Sequence, residues 1–573
     1  MDREVPRTTS DEIRLYIRTY YSMLRSSGDV WVRAFEEAHA YSDSSLHAGA
    51  RAAEPDVAAF AYSAARLPAE MHHIERLVLG QSHEQFEATG LDVRRWQRVR
   101  ARGRRRPLRW DEGGQLAVIV TSTSDIDDLV PMVTSYQIEW NKLNGLLAGT
   151  ALGARLVAAR PGHELEPDLA ELGATLRLDA AGVSTLRQAL GDSWKAGLAA
   201  IARRPSDLRM RLLSGTMSQY QTAAHRWWSG IEPGYIREHR PRRRPVYFVS
   251  SNTHALPNLL AGWGRAHMDG LVAFARQTNP EGLGDALDAA LARGDSHEVA
   301  SIGYYLSGAY LKSGGPERIA EVQAWDAEHG IRTFESPGHI DVTAQIVELR
   351  ALDPARLDDR VRVPGIEALR ASDAVIVNID YPLGLAAYYH LARVAQGAGD
   401  LRGVYVMGKA ATLNGRVGDV MISGVAHDEH SQNTYLFKNC FSAANVQPWV
   451  RQGTVLDNQK ALTVRSAFLQ NRDYMSVFYK EGYTVLEMET GPYLSAIYEI
   501  VNPNRHPQDE IVHLSTQVPF DVGILHYASD TPYSRRQSLL SKSLSYFGVE
   551  STYGCALAIV RRIFGQEIAR LQG

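Results

Sequence analysis

Apolar positions recur every three to four residues through region 9–90, the period of helices that bury one face. In DEIRLYIRTYYSML, residues Ile13, Tyr16, Ile17, Tyr20 and Leu24 share a face, and Thr9 or Ser10 stands where an N-cap is needed. Pro55 to Leu67 and Pro68 to Leu79 read as two more helices, each with proline at its start. LAVIVT (116–121) is a short strand of the buried type, and Asp125 to Leu147 reads as a helix after it. Further helices are predicted over 181–203 and 206–229. REHRPRRRP (237–245) reads as a basic, proline-bearing linker, which puts a domain boundary near residue 240.

Beyond it the pattern changes. VYFVSSNTHALPNLL runs from an apolar strand through a small-polar loop into a helix, the start of an α/β unit. Helices are predicted to fill 256–330. Strands follow at DAVIVNI (373–379), VYVM (404–407), DVMISGV (419–425), TVLEM (484–488) and VGILHYAS (522–529). Helices are predicted over Gly384 to Gln396 and over 534–570. The expected fold is α/β: a mixed, largely parallel sheet flanked by helices over 241–573, with a helical insertion near 256–370. A mainly helical N-terminal domain, 1–240, precedes it.

Composition narrows the class. A chain of 573 residues exceeds one ordinary core. Its 45% hydrophobic and 22% charged residues are ordinary for globular protein. A net charge of −3 gives no field for nucleic acid or an anionic membrane. Two cysteines, Cys440 and Cys555, exclude a disulfide scaffold and a multi-cysteine zinc site, and fit a reducing compartment. The N-terminus has no apolar core of a signal peptide, and no stretch reaches about 18 uncharged apolar residues. A cytoplasmic protein without metal or cofactor is expected. The basic run ARGRRRPLRW could bind phosphate or nucleic acid. Trp96 and Trp110 flank it without interleaving, so a solvated surface loop is the better reading. Gly145, Gly149 and Gly153 match no phosphate-binding fingerprint, and His72 and His73 lack metal-ligand spacing.

In an α/β sheet, ligands gather at the carboxyl ends of strands. The residues standing there are Asp380 to Gly384 (DYPLG), Gly408 and Lys409, Glu487, Met488 and Glu489, and Ser529 with Asp530. Each acid alone could be an ordinary strand end or a turn and cap. Together with a lysine and two glycines they make a polar cleft. His427 to His430 (HDEH) lacks a third metal ligand and reads as a solvated loop.

Four segments carry a resemblance when taken in order. MGKAATLNGRVGDVMIS (407–423) is similar to a glycine-rich strand end followed by a Gly-Asp-Val strand. LEMETGPYLSAI (486–497) has a Glu-Met-Glu junction entering a helix. YASDTPYSRR (527–536) closes a late strand on Ser-Asp, and NIDYPLGLAAYYHL (378–391) is a strand-to-helix turn. The order resembles that of the nucleoside phosphorylase and nucleosidase superfamily, over about 200 residues. The resemblance implies cleavage of the N-glycosidic bond of a nucleoside or nucleotide, with purine expected. It implies that Glu489 accepts hydrogen bonds from ribose hydroxyls and that Met488 packs beneath the sugar. Asp530 would protonate the leaving base, with Ser529 orienting it, and Phe468 would stack on the base. A homo-oligomer is implied by analogy. The chemistry agrees, because a carboxyl group near the base relieves its growing negative charge.

The chain departs from the family where the nucleophile is held. The loop after the first strand, Ser250 to His254, has no arginine, and Lys409 stands where the family has serine. Lys409 could bind a phosphate as a point charge, with Arg535 or Arg536. Water is preferred to phosphate as the nucleophile. Glu335 and Asp341 are candidates to activate it. The alternative is a nucleoside- or nucleotide-binding sensor that has lost turnover.

Overall fold

The computed structural model describes residues 10–26, 28–160, 162, 164–213, 215–235, 243–335, 340–514, 518–531 and 545–573. They form two compact units. The first is Met1–Ala223 with His339–Asp341 and Val464–Lys480; the second is Ala224–Gly338 with Val342–Thr463 and Glu481–Gly573. The expected linker lies mostly outside the described residues. Segment Val464–Lys480, read from sequence as part of the second domain, packs with the first unit.

The first unit carries a sheet as well as helices. Its strands are β1 (Val30–Trp31), β2 (Arg76–Gly80), β3 (Gln97–Ala101), β4 (Arg104–Trp110), β5 (Gln115–Ile119) and β6 (Arg209–Leu212), in the order β1-β6-β2-β5-β4-β3. β2 runs parallel to both β5 and β6. The helix expected over Pro68 to Leu79 is therefore a short 3₁₀ turn, Ala69–His73, followed by β2. Leu77, Val78 and Leu79 are all fully buried, so this run has no polar face to show water. A strand covered on both faces accepts such a run, and a one-sided helix does not. The basic stretch 97–110 is likewise a hairpin, not a loop: β3 pairs antiparallel with β4, Val99 and Leu108 point inward, and Arg98 and Arg100 point to solvent. The helix Thr123–Leu147 leaves β5 and is buried along most of its length.

The second unit holds an 11-stranded mixed sheet. Its strands are β7 (Pro245–Ser250), β8 (Ile331–Phe334), β9 (Ala344–Glu348), β10 (Val375–Ile379), β11 (Asp400–Thr412), β12 (Val420–Asp428), β13 (Thr434–Leu436), β14 (Val455–Thr463), β15 (Tyr483–Glu487), β16 (Ile511–His513) and β17 (Asp521–Asp530). β10, β7, β11 and β17 run parallel to one another in that order. β17 then pairs antiparallel with β12, β12 parallel with β14, β14 parallel with β15, and β15 antiparallel with β11. Strands β11, β17, β12, β14 and β15 thus close a five-strand circuit. Closure leaves none of these five as a free edge. The expected helical insertion is helical from Ala255 to Glu328, then supplies β8 and β9 to the sheet edge. The C-terminal helix Ser545–Gln572 packs its apolar face into the main core of this unit. Among the described residues, no helix is long and apolar enough to cross a membrane.

Candidate functional site

β11 is longer than its sequence suggests. It runs on through Gly408 and Lys409 to Thr412, so both residues lie within the strand rather than past its end. One edge is paired with β17 throughout, from Gly403 to Ala411. The other edge changes partner. β7 accompanies it as far as Val406, opposite Ser250, and β15 arrives from the opposite direction at Ala411, opposite Leu486. Neither strand passes Met407 to Ala410 on that edge. The carboxyl ends of β7 and β15 face each other across this gap, and α/β sheets bind ligands at the carboxyl ends of strands where direction switches.

Most of the residues expected at the site converge on the gap. The loop after β10 enters from one side. Asp380 is buried; its N–H donates to the Thr343 carbonyl at 2.8 Å and its Oδ1 accepts the Tyr381 N–H at 3.0 Å. Tyr381 then lies over Gly408, where a Cβ would stand 3.5 Å from the ring. The Tyr381 hydroxyl is 3.4 Å from that of Tyr527 on β17. The same loop ends at Gly384, whose φ of 52° is the left-handed turn that glycine adopts at low cost. The Gly384 N–H donates to Glu489 Oε1 at 3.3 Å. The 380–384 loop and the Glu-Met-Glu junction therefore meet at the gap.

Glu487, Met488 and Glu489 divide their roles. Met488 and Glu489 are partly exposed, whereas the Glu487 side chain is fully buried. Glu487 Oε2 accepts the N–H groups of Glu489 and Thr490, both at 2.7 Å, and its Oε1 accepts the Thr463 hydroxyl. Burial pushes its carboxyl above the ordinary range, with those donors opposing the shift. His526 Nε2 lies 3.9 Å away, and burial lowers that imidazole to about 4. Tyr493, one turn into the helix Thr490–Val501, stacks edge-on against Phe248 at 5.8 Å, and its hydroxyl faces Ser250. Burial raises that hydroxyl, and the charge of Glu489 adds to the rise.

On β17, Ser529 is the extra residue of a bulge between the pairs Ala410–Ala528 and Ala411–Asp530. The Ser529 hydroxyl lies 3.4 Å from the Ala410 carbonyl. The side chain of Asp530, like Arg535 and Arg536, lies outside the described residues.

Other expectations change. Phe468 is fully buried in the first unit, its ring edge-on to Tyr62 at 5.3 Å and 6.0 Å from His39. Its aromatic faces are used for packing there. Lys409 projects to the exposed side of β11. His427 to His430 is no solvated loop. His427, Asp428 and Glu429 are buried, and Asp428 accepts His430 Nδ1 at 2.9 Å and the Ser431 hydroxyl at 2.6 Å. Burial alone would raise the Asp428 carboxyl; these partners hold it below its usual range. Among the described residues, no group of three His, Cys, Asp or Glu could hold a metal. Glu335 is exposed and paired with Gln323, and Asp341 lies 3.9 Å from Arg98 within the first unit.

The loop after β7 is internally bonded. The Ser251 hydroxyl donates to Asn378 Oδ1 at 2.7 Å, Asn252 Oδ1 accepts the N–H groups of His254 and Ala255, and His254 Nδ1 meets the Tyr553 hydroxyl at 3.1 Å. Sequence reasoning missed Tyr381, Tyr527, Tyr493 and Thr463. The first three carried a usable signal, standing within segments already singled out.

Fold and site together define an α/β protein in which polar residues gather where β11 changes partner from β7 to β15. The chain belongs to DUF6909, a family of unknown function whose profile matches residues 32–565. No curated protein sequence matches it. Among solved structures, it is similar to a 5′-methylthioadenosine/S-adenosylhomocysteine nucleosidase from Neisseria meningitidis in complex with methylthio-immucillin-A, at 9% identity over 56% of this chain and 99% of that one, TM-score 0.29. An S-adenosylhomocysteine nucleosidase from Streptococcus pyogenes in complex with 5-methylthiotubericidin gives 9% identity, 56% and 97% coverage and a TM-score of 0.29. A methylthioadenosine phosphorylase sourced from an antarctic soil metagenomic library gives 9%, 35% and 73%, with 0.26. Likeness at this level does not by itself define a fold or an activity.

Proposed function

We propose that the second unit cleaves the N-glycosidic bond of a purine nucleoside or nucleotide, with water as the nucleophile. The observation that carries this reading is the meeting of Gly384, Tyr381 and Glu489 beside the stretch of β11 left unpaired on one edge. These are the segments whose order resembles the nucleoside phosphorylase and nucleosidase superfamily. Glu489 accepts the ribose hydroxyls and tolerates the positive charge that builds on the sugar. Met488 offers the sugar an adaptable apolar surface. Asp530 gives its proton to the leaving base. The C1′–N bond breaks, its electron pair goes to the base, and the water oxygen bonds C1′ and releases a proton to solvent, from which Asp530 is reprotonated.

Hydrolysis is favoured over phosphorolysis by the loop after β7. It holds no arginine, and Ser251 and Asn252 are engaged within the fold. Lys409 on the exposed side of β11 suits an anionic group on the substrate's periphery better than an enclosed phosphate.

The test is to incubate the purified protein with adenosine, inosine, AMP or ATP, with and without phosphate, and to measure free base. Release without phosphate is expected, falling about 10²- to 10⁴-fold in Asp530→Asn, the size of one positioned proton transfer. Binding of these compounds without any release would identify a sensor instead. Full activity in Asp530→Asn would remove that residue from the mechanism.

A further inference from the structure

We infer that Glu487 is a positioning residue: with Thr463 it forms a buried clamp that fixes the backbone from which Glu489 reaches the gap. The inference rests on the N-glycosidic reading of the site only for its catalytic consequence.

Three successive amides open the helix Thr490–Val501, and all three are held from outside the helix. Glu487 Oε2 takes the N–H groups of Glu489 and Thr490 at 2.7 Å each, and Thr463 Oγ1 takes that of Gly491 at 2.8 Å. Thr463 in turn donates to Glu487 Oε1, so the two acceptors brace each other. They come from the ends of neighbouring strands, paired in register as Thr463 opposite Glu487. Both Glu487 oxygens already accept hydrogen bonds and its side chain is fully buried, so the carboxylate is turned to the protein and closed to a sugar hydroxyl.

No lysine or arginine compensates the buried charge among the described residues; the ionisable group beside it is His526, at 3.9 Å. Compensation falls to the two amides, the Thr463 hydroxyl and the positive end of the helix. A residue set in this way fixes its neighbour: the Glu489 N–H is pinned, and its carboxylate can then accept Gly384 while facing the gap. A glutamine at 487 keeps an oxygen for the two amides. An alanine removes every acceptor.

Two readouts test the clamp. Hydrogen exchange, followed by mass spectrometry on peptides spanning 484–496, reports the amides directly. In Glu487→Ala, exchange at Glu489 and Thr490 should quicken at least about 10-fold, with residues beyond Leu494 unchanged. Glu487→Gln should stay within a few-fold of the natural chain. Steady-state release of adenine from adenosine should show KM rising about 10-fold or more in Glu487→Ala and recovering in Glu487→Gln. If Glu487→Ala fails to fold, Thr463→Val removes one brace without removing volume and should quicken exchange at Gly491 and Glu489. Unchanged exchange in every variant overturns the clamp. So does an equal KM rise in Glu487→Gln and Glu487→Ala, which would make the charge itself a substrate ligand. If the natural chain releases no base, the proposed activity fails, and exchange alone still decides the clamp.

Discussion

The Gly384 amide donates to the Glu489 carboxylate at 3.3 Å, joining a loop after β10 to a strand end more than a hundred residues later in the chain. One Glu489 oxygen is thereby oriented by the protein. Glu489→Gln keeps an acceptor for Gly384 and loses the charge. Hydrogen bonds to a charged group contribute about 1.5–3 kcal/mol, so kcat/KM for adenosine should fall about 10- to 150-fold. Thermal unfolding should scarcely move, because the side chain is partly exposed. Steady-state kinetics beside a melting curve checks both, and an unaltered kcat/KM would take Glu489 out of the sugar site.

The sequence exposed the second unit better than the first. Strands 373–379, 419–425, 484–488 and 522–529 were legible because each is a compact apolar run with polar punctuation. β2 was not, because its apolar run after Pro68 fits a helix period as well as a strand until its neighbours β5 and β6 are known. The 97–110 hairpin hid behind its arginines, of which Arg98 and Arg100 alternate with buried Val99 on β3. Asp380 and Glu489 follow strands β10 and β15 as the apolar pattern indicates, whereas Gly408, expected past a strand end, lies within β11. The roles of Glu487 and Thr463 were not, since one sequence position cannot say whether a carboxylate faces inward to amides or outward to a ligand.

Phe468 separates those two possibilities for an aromatic ring. It was expected to stack on a nucleobase, and it packs against Tyr62 and His39 at zero exposure. Phe468→Ala should destabilise the first unit by about 3–5 kcal/mol, the usual cost of emptying a core aromatic site. Below its unfolding transition the variant should keep the natural KM for adenosine. A raised KM in fully folded protein would restore the stacking role.

Gly491 tests how tightly the helix start is seated. A Cβ there would stand 2.5 Å from Asp428 Cβ and Cγ. Asp428 has no room to yield, since His430 and Ser431 hold both of its oxygens. Gly491→Ala should therefore cost at least about 1–3 kcal/mol as an overpacked site and displace the Glu489 junction. Denaturant titration should show the loss, and adenine release should fall more steeply than the folded fraction. Gly408→Ala makes the contrast: its Cβ meets Tyr381 at an ordinary 3.5 Å, so stability should hold.

Asp326 gives the second unit a stability that depends on pH. It is buried on the helix Gly315–Glu328, and burial raises its carboxyl from 3.8 to about 7. The folded state then binds the proton more tightly than the unfolded chain between those values. The contribution is fully present below about pH 4 and is lost as pH rises through 7. The rise from 3.8 to about 7 corresponds to about 4 kcal/mol at most. Asp326→Asn removes the ionisation and keeps the shape. It should match the natural protein at pH 4 and exceed it in denaturant midpoint at pH 8. Equal midpoints at pH 8 would mean that the carboxylate ionises in the fold without penalty.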